Sequence, residues 1–307
     1  MIKRVVVTNY IGDRLSIDLY NPWETGFIVK SISGLGASEA DINITDIVTR
    51  DGGIYNSSRM RQRNIVIEFM FTRTVLGESI EDVRQKTYKY FPVKRYVELM
   101  IETDNRNLMI SGYVESNEPE IFSSKENTKI SIICPDPYFY SADNGGDNVT
   151  SFYSIEPLFE FPFSNESLTE PLLLFSELHT TAEGVVPYSG DSEVGITIYI
   201  HALGPATNIS IFNLETREQM SIDTAKIASI TGSGLLAGDD IFINTSKGDK
   251  TVTFVREGVR YNIMNCLGKN ADWFTLAKGD NLFGFTADSG LANLQFQIIN
   301  KVIYEGV

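Results

Sequence analysis

The chain has 307 residues, of which 42% are hydrophobic and 21% charged, and its net charge is −14. This length suffices for about two domains, and the composition excludes a disordered chain. No apolar run reaches the ~20 residues of a membrane-spanning helix, so we expect no membrane insertion. The charge is uneven, at −2 for residues 1–140 and −12 for residues 141–307. Because the acidic part repels nucleic acid, we expect no direct sequence-specific nucleic-acid binding.

The first residues of the chain do not have the pattern of a signal peptide. Lys3 and Arg4 precede an apolar run, residues 5–7, that is too short for the core of a secretory signal. Polar residues follow at once. We therefore expect a first β-strand here, in a protein that is made and folded in a cytoplasm.

The first part of the chain shows the pattern of short strands. In residues 64–71, apolar side chains occupy both faces, which is typical of a strand with neighbours on both sides. Ile42 and Ile44 share one face of a further strand, where Asp46 interrupts the alternation. The other strands predicted in this part are 96–102, 108–115 and 129–134. The simplest arrangement is a barrel-like sheet with one helix packed on it.

That helix is predicted for residues 80–91. Ser79 is placed as its N-cap, and Asp82 three residues later completes a capping-box pattern. Pro92 ends it. The side chains that fall near one face at helical spacing, and that we expect to pack on the sheet, are Ile80, Val83, Thr87, Tyr90 and Phe91.

The second part of the chain is predicted to be all β. In residues 195–201, three isoleucines alternate with Thr197, Tyr199 and His201, which indicates a strand with one buried face. Further strands are predicted at 240–244, 251–256, 259–267, 281–286 and 294–304. Short strands separated by Gly, Asn and Asp turns predict a β-sandwich.

A row of arginines precedes the strong strand of the first part. Arg59, Arg61 and Arg63 have the spacing of residues on one face of an extended strand. We interpret Arg61 and Arg63 as candidate subunit-interface residues that pair with acids of a neighbouring subunit. A solvated strand face is the alternative.

The sequence offers no constellation typical of catalysis or of a metal site. His179 and His201 have no nearby cysteine, and the adjacent pair Asp239 and Asp240 would point to opposite faces of a strand. We therefore expect no enzymatic activity, no cofactor and no bound metal. Cys134 and Cys266 are predicted to be buried free thiols.

Trp273 is the candidate ligand-binding aromatic. In a β-sandwich, Trp273 could either fill the core or stack on a sugar ring at the surface. The residue therefore keeps a carbohydrate-binding function open.

Six motifs in the first part occur in a fixed order: 32–36 (ISGLG), 51–53 (DGG), 59–67 (RMRQRNIVI), 90–92 (YFP), 112–115 (GYVE) and 134–139 (CPDPYF). This ordered set resembles the N-terminal domain of the distal tail proteins of long-tailed bacteriophages, over about residues 1–140. Residues 282–285 (LFGF) and 302–307 (VIYEGV) are similar to parts of the second domain of that family.

The resemblance implies a structural protein of the virion tail tip. It implies a ring-forming domain at 1–140 and a peripheral β-sandwich of the galectin or carbohydrate-module kind at 141–307. The ring, usually a hexamer, would join the tail tube protein to the hub or tail-associated lysin protein, and would support a receptor-binding protein. The alternative function belongs to another class: the protein would be a carbohydrate-binding adhesion module that contacts the host cell wall through Trp273.

Overall fold

The computed structural model of the chain describes residues 1–47, 51–123, 125–157 and 176–307. The elements of its first part are β1 (Ile2–Asn9), β2 (Arg14–Asp18), β3 (Phe27–Ser33), β4 (Ala40–Asp46), β5 (Gly53–Met60), β6 (Arg63–Phe71), α1 (Ile80–Tyr90), β7 (Tyr96–Thr103), β8 (Asn107–Glu120), β9 (Asn127–Cys134) and β10 (Phe139–Ser141).

The later elements are β11 (Asp147–Ser151), β12 (Tyr153–Pro157), β13 (Ser176–Thr180), β14 (Glu183–Tyr188), β15 (Val194–Gly195), β16 (Thr197–Ala202), β17 (Thr207–Asn213), β18 (Glu218–Ile222), α2 (Thr224–Thr231), β19 (Asp240–Asn244), β20 (Thr251–Arg256), β21 (Val259–Asn262), β22 (Thr275–Leu276), β23 (Gly279–Ser289), β24 (Leu294–Lys301) and β25 (Ile303–Tyr304). The protein is mainly β, as predicted.

The chain forms two compact units. Unit 1 contains residues 1–146 together with 303–307, and unit 2 contains residues 147–302. The sequence placed one boundary at 140/141 and a single continuous strand at 294–304. That strand ends at Lys301, and the short strand β25 belongs to unit 1. Unit 2 is therefore inserted in sequence between two strands of unit 1.

Unit 1 is built on one antiparallel sheet with the order β2-β1-β7-β8-β9-β6-β3. Strand β10 pairs with the start of β8 and with β25. Strand β6 has β9 and β3 on its two sides, which confirms the neighbours predicted for it. Within the residues described, β2 and β3 are the two ends of this order, so hydrogen bonds do not close it into a full barrel.

Helix α1 begins and packs as the sequence predicted. Asp82 donates its backbone N–H to the Ser79 side chain, and Asp82 Oδ2 accepts the backbone N–H of Ser79. Val83 is buried on the inner face of the helix, as is Thr87. Phe91 follows the helix and lies 5.9 Å from Phe69 of the sheet, so the helix covers an aromatic core.

Unit 2 is a β-sandwich. Its larger sheet has the order β11-β24-β16-β19-β20-β21, and its smaller sheet has the order β14-β23-β17-β18. Phe285 of β23 stacks on Phe296 of β24 at 4.2 Å between ring centroids, which joins the two sheets. Ile198 and Ile200 of β16 face this core and are fully buried, as the alternation predicted.

One element of unit 2 departs from the all-β prediction. Helix α2 begins at the N-cap Asp223, whose side chain accepts the N–H groups of Ala225 and Lys226. It ends at Gly232, which adopts φ 84°. The β-branched composition of residues 224–231 favours a strand, but the two end residues select a helix. The predicted strand 259–267 also stops at Asn262, before a short 3₁₀ turn.

Both cysteines are buried free thiols, which confirms that prediction. Burial raises the pKa of Cys134 to about 11 and raises the pKa of Cys266 above its ordinary value. None of the helices in the described ranges is long and apolar enough to cross a membrane.

Candidate assembly interface

Strands β4 and β5 pair with each other outside the main sheet of unit 1, and we call these two strands, residues 40–46 and 53–60, the arm. One face of the arm is apolar. Ile42 and Ile44 lie two residues apart on β4, and Tyr55 is the cross-strand partner of Ile44. Their exposed fractions are 61%, 56% and 60%. A two-stranded hairpin is marginally stable by itself, and apolar side chains this exposed favour association.

The base of the arm is held by ion pairs. Asp41 accepts from Arg59 at 3.2 Å and from Arg61 at 2.5 Å, and Arg61 also lies 3.5 Å from Glu39. The hydrogen bond from Arg61 is the main cause that lowers the pKa of Asp41. Each pair is solvent-exposed and contributes little stability by itself. The pairs connect the two strands of the arm to each other at its base.

A cavity of about 390 Å³ lies beside this base. The hydroxyl of Ser38 is buried there without a hydrogen-bond partner in the described part of the chain. The cavity is lined by Gly34, Ala37, Ser38, Glu39, Arg61, Gln62, Arg63 and Asn64. The arm and this cavity together make the base of the arm a candidate docking region.

Arg63 lies inside unit 1 and is only 3% exposed. Its Nε donates to the carbonyl of Pro137 at 2.7 Å, and its Nη2 donates to the carbonyl of Glu305 at 2.7 Å. Its Nη1 donates to the carbonyls of Gly34, at 2.6 Å, and Gly36. The guanidinium also lies 4.5 Å from the centre of the Phe139 ring. Burial lowers the pKa of Arg63, but four acceptors keep the cation satisfied.

The predicted single row of three arginines is therefore divided. Strand β5 ends at Met60 and β6 begins at Arg63, so the period-2 pattern breaks between them. Arg59 and Arg61 stay exposed on Asp41, whereas Arg63 points into the unit. The role of Arg61 at a subunit interface stays a prediction. Arg63 is positioned to hold unit 1 together.

Trp273 is neither fully buried in the core nor fully exposed at the surface, the two alternatives considered for it. It is half-buried, and the core position beside it is taken by Phe274, which is fully buried. The ammonium of Lys250 lies 4.9 Å from the Trp273 ring centre. One face of the indole is thus occupied by a cation. Contact of Trp273 with a sugar stays a prediction.

The side chains of Asp239 and Asp240 point in different directions, as predicted, and only that of Asp240 lies at the surface. Asp239 is buried and accepts from Arg256 Nε at 2.8 Å and Nη2 at 2.5 Å. Asp240 lies on the outer side of β19, beside His201. In the described residues, no three His, Cys, Asp or Glu side chains cluster as a metal site would need. His179 lies in β13, and its side chain is outside the described residues.

The second strand of the arm was not predicted from the sequence. The prediction used Ile42 and Ile44, but not Ile54 and Tyr55 of β5. The available signal was Gly52-Gly53, a turn-forming pair before a strand-like run. The exposure of the arm is a tertiary property, because the same alternation would also suit a strand inside the sheet.

The chain has the fold of the Dit protein (gp 19.1) of phage SPP1, a paradigm of the hub adsorption apparatus in phages that infect Gram-positive bacteria. The TM-score is 0.61 at 12% sequence identity, over 97% of this chain and 98% of that one. This confirms the predicted distal-tail-protein fold. At this identity the likeness concerns the fold alone.

A weaker likeness exists to the baseplate of phage P2 in its activated conformation with Ca. The TM-score is 0.42 at 13% identity, over 98% of this chain and 99% of that one. That score is too low to establish a shared fold. No protein-family model matches the sequence. No curated protein matches it either.

Proposed function

We propose that this protein is a structural subunit of a phage tail tip, and that copies of unit 1 assemble into a ring through the arm. The observation that carries the proposal is the exposed apolar face of Ile42, Ile44 and Tyr55. A surface of this kind in a secreted or cytoplasmic monomer is a liability unless a partner covers it. A second copy of the chain offers the same surface and the cavity beside it.

The fold supports the same function. The SPP1 protein with this fold belongs to a hub adsorption apparatus. In our proposal the ring, of about six copies, joins the tail tube protein to the hub protein at the virion tail tip. Unit 2 then lies at the periphery, where it can support a receptor-binding protein.

Light scattering of the purified full-length chain, with negative-stain images of the same fraction, tests the ring. Six copies of the 34.3 kDa chain give about 206 kDa. Replacing Ile42→Asp together with Ile44→Asp places two charges on the apolar face. We expect this variant to elute as a monomer with an unchanged circular dichroism spectrum.

Val259→Asp is the matched control, because Val259 is 52% exposed but lies in unit 2. It should leave the mass unchanged. Arg61→Glu tests the predicted interface role of that arginine, whereas Arg63 is buried and its replacement reports on folding instead. A wild-type chain that stays monomeric up to its solubility limit would refute the ring. Rings that persist in the double Asp variant would refute the role of the arm.

A further inference from the structure

The arm gives unit 1 one surface for association, but a closed ring of more than two copies needs two such surfaces. Cyclic symmetry of higher order repeats a head-to-tail contact, in which one surface of each copy meets a different surface of the next. A contact between the apolar faces of two arms would be self-complementary and would end at a dimer. In the proposed ring, the arm therefore meets another surface of unit 1 in the neighbouring copy.

The cavity beside the base of the arm does not match the apolar face of the arm. Its lining is mainly polar and charged, with Glu39, Arg61, Gln62 and Asn64 among the residues that form it. Apolar side chains placed there would remove water from these polar groups without offering them hydrogen bonds, which is unfavourable. We therefore expect the surface that receives the arm to be apolar.

A second exposed apolar cluster lies on two loops of unit 1, one before β3 and one after β6. Trp23, Val75 and Leu76 have exposed fractions of 56%, 76% and 89%. The backbone N–H of Val75 donates to the carbonyl of Trp23 at 2.9 Å, and that of Thr72 donates to the carbonyl of Gly26 at 2.9 Å. These two bonds connect the loops. We call the side chains of Trp23, Val75 and Leu76 the patch.

The arm and the patch lie at opposite ends of the β3–β6 pair. Strand β3 begins at Phe27, beside the patch, and leads towards the arm, whereas β6 follows the arm and ends at Phe71. Phe27 and Phe71 are direct cross-strand partners. The nine residues of β6 span ~27 Å. One copy thus presents the arm and the patch at two separate places, as a head-to-tail contact requires.

The patch and the apolar face of the arm are also similar in size. Large apolar side chains have ~150–250 Å² of surface, so the exposed parts of each set of three amount to roughly 400 Å². A standard interface covers ~800 Å² on each partner, of which ~56–65% is apolar. Each set therefore supplies an apolar centre of the expected order. Trp23 and Tyr55 also belong to the residue types that most often dominate binding energy.

We propose that the patch of one copy receives the apolar face of the arm of the next copy, an inference that rests on the ring proposed above. The contact removes the three apolar side chains of the arm and the three of the patch from water together. Repeated around the ring axis, it covers every arm and every patch. The patch is thereby the partner surface of the arm.

Mixing two variants that each lack one surface tests this pairing. The patch variant carries Val75→Asp with Leu76→Asp, and the arm variant carries Ile42→Asp with Ile44→Asp. Each variant alone should be a monomer by light scattering. An equimolar mixture should give a heterodimer of about 69 kDa, or two copies of the 34.3 kDa chain. The intact arm of one variant then holds the intact patch of the other, and neither copy can add a third.

Phe122→Asp is the matched control for the patch variant. Phe122 is fully exposed in the connection between β8 and β9. This connection lies at the same end of the sheet as the patch, since the start of β9 pairs with the end of β6. The variant should keep the mass of the ring. Loss of the ring in Phe122→Asp, with an intact ring in the patch variant, would place the acceptor on this connection and overturn the proposal.

Trp23 provides a spectroscopic measurement of the same contact. The chain has two tryptophans, so Trp273→Phe leaves Trp23 as the only one. Assembly should cover its indole and shift the fluorescence emission to shorter wavelength, whereas the arm variant in this background should keep the emission of an exposed indole. Assembled rings with an unshifted emission would contradict the contact.

The outcomes separate this proposal from the ring itself. A ring that persists in the patch variant would overturn the acceptor and leave the ring standing. A patch variant that dimerises by itself, or a mixture that stays monomeric, would show that the arm does not bind the patch. A wild-type chain that is monomeric would refute the ring and the acceptor together. Circular dichroism and thermal melts establish that each variant is folded.

Discussion

The two units each hold an arginine in place, but in two different ways. In unit 1, Arg63 binds four main-chain carbonyls and, within the described residues, no carboxylate. In unit 2, Arg256 forms a two-pronged ion pair with the buried Asp239 and also binds Ser233 and Gly234. Hydrogen bonding to Asp239 raises the pKa of Arg256, whereas burial lowers the pKa of Arg63.

The two arginines therefore have different roles: Arg63 connects distant segments of the chain, whereas Arg256 stabilises a local one. The four acceptors of Arg63 come from two loops and from the C-terminal segment, up to 242 residues away in sequence. The partners of Arg256 lie within 25 residues of it. Only Arg63 therefore joins distant parts of the chain. Its partners are main-chain carbonyls, which no substitution can alter. A second mutation at the partner residues therefore cannot compensate for the loss of Arg63.

The largest expected effect follows from removing that connection. Arg63→Met keeps the apolar stem but removes the hydrogen-bond donor that the four carbonyls share. We expect the free energy of unfolding of unit 1 to fall by about 4 kcal/mol. Arg63→Lys should recover only part of this loss, since one ammonium cannot reproduce the planar fork. Chemical denaturation measures the loss of stability in both variants, and hydrogen exchange of the β6 amides shows whether the loss is located in unit 1. A loss below about 1 kcal/mol in Arg63→Met would contradict the connecting role.

A smaller effect is expected in unit 2. Asp239→Asn keeps the shape but removes the charge that balances Arg256, and should cost about 2–3 kcal/mol. Replacing both partners, with Asp239→Asn and Arg256→Met, should cost less than the sum of the two single changes. A double-mutant cycle by urea denaturation measures this coupling. Strictly additive costs would show that the pair does not act as a unit.

The smallest effect concerns the loop that supplies two acceptors to Arg63. Gly34 adopts φ 83°, and a Cβ there would clash with the carbonyl oxygen of Asn64. Gly34→Ala should therefore lower the thermal midpoint, at a cost of about 2 kcal/mol. Gly36→Ala is the matched control, because a Cβ there meets nothing within 4 Å. Equal melting temperatures for the two variants would show that the conformation of Gly34 is not required.

Local signals in the sequence predicted the local structure well. The capping box of Ser79 and Asp82 correctly placed the start of α1 at Ile80, and Pro92 placed its end within one residue of the observed one. The alternation in 64–71 identified a paired strand, and Tyr199 and His201 were placed on the face opposite the core. These predictions depend on neighbours a few residues apart, which a sequence pattern records directly.

Features that depend on distant residues were not predictable in this way. The spacing of Arg61 and Arg63 is the same whether the chain continues as one strand or turns at Gln62. The return of β25 to unit 1 depends on its pairing with β10, more than 160 residues earlier in the chain. The side-by-side placement of Tyr199 and Phe242 needs the register of two strands, which no single segment determines.

The return of β25 also has a consequence for synthesis on the ribosome. Arg63 cannot bind the carbonyl of Glu305 until translation has passed residue 305, 242 residues later. At 5–20 residues per second, this interval lasts about 12–50 s. During that time unit 1 lacks β25, while unit 2 emerges. Completion of unit 1 is thereby coupled to completion of unit 2, so a translation product truncated before residue 303 lacks the last strand of unit 1.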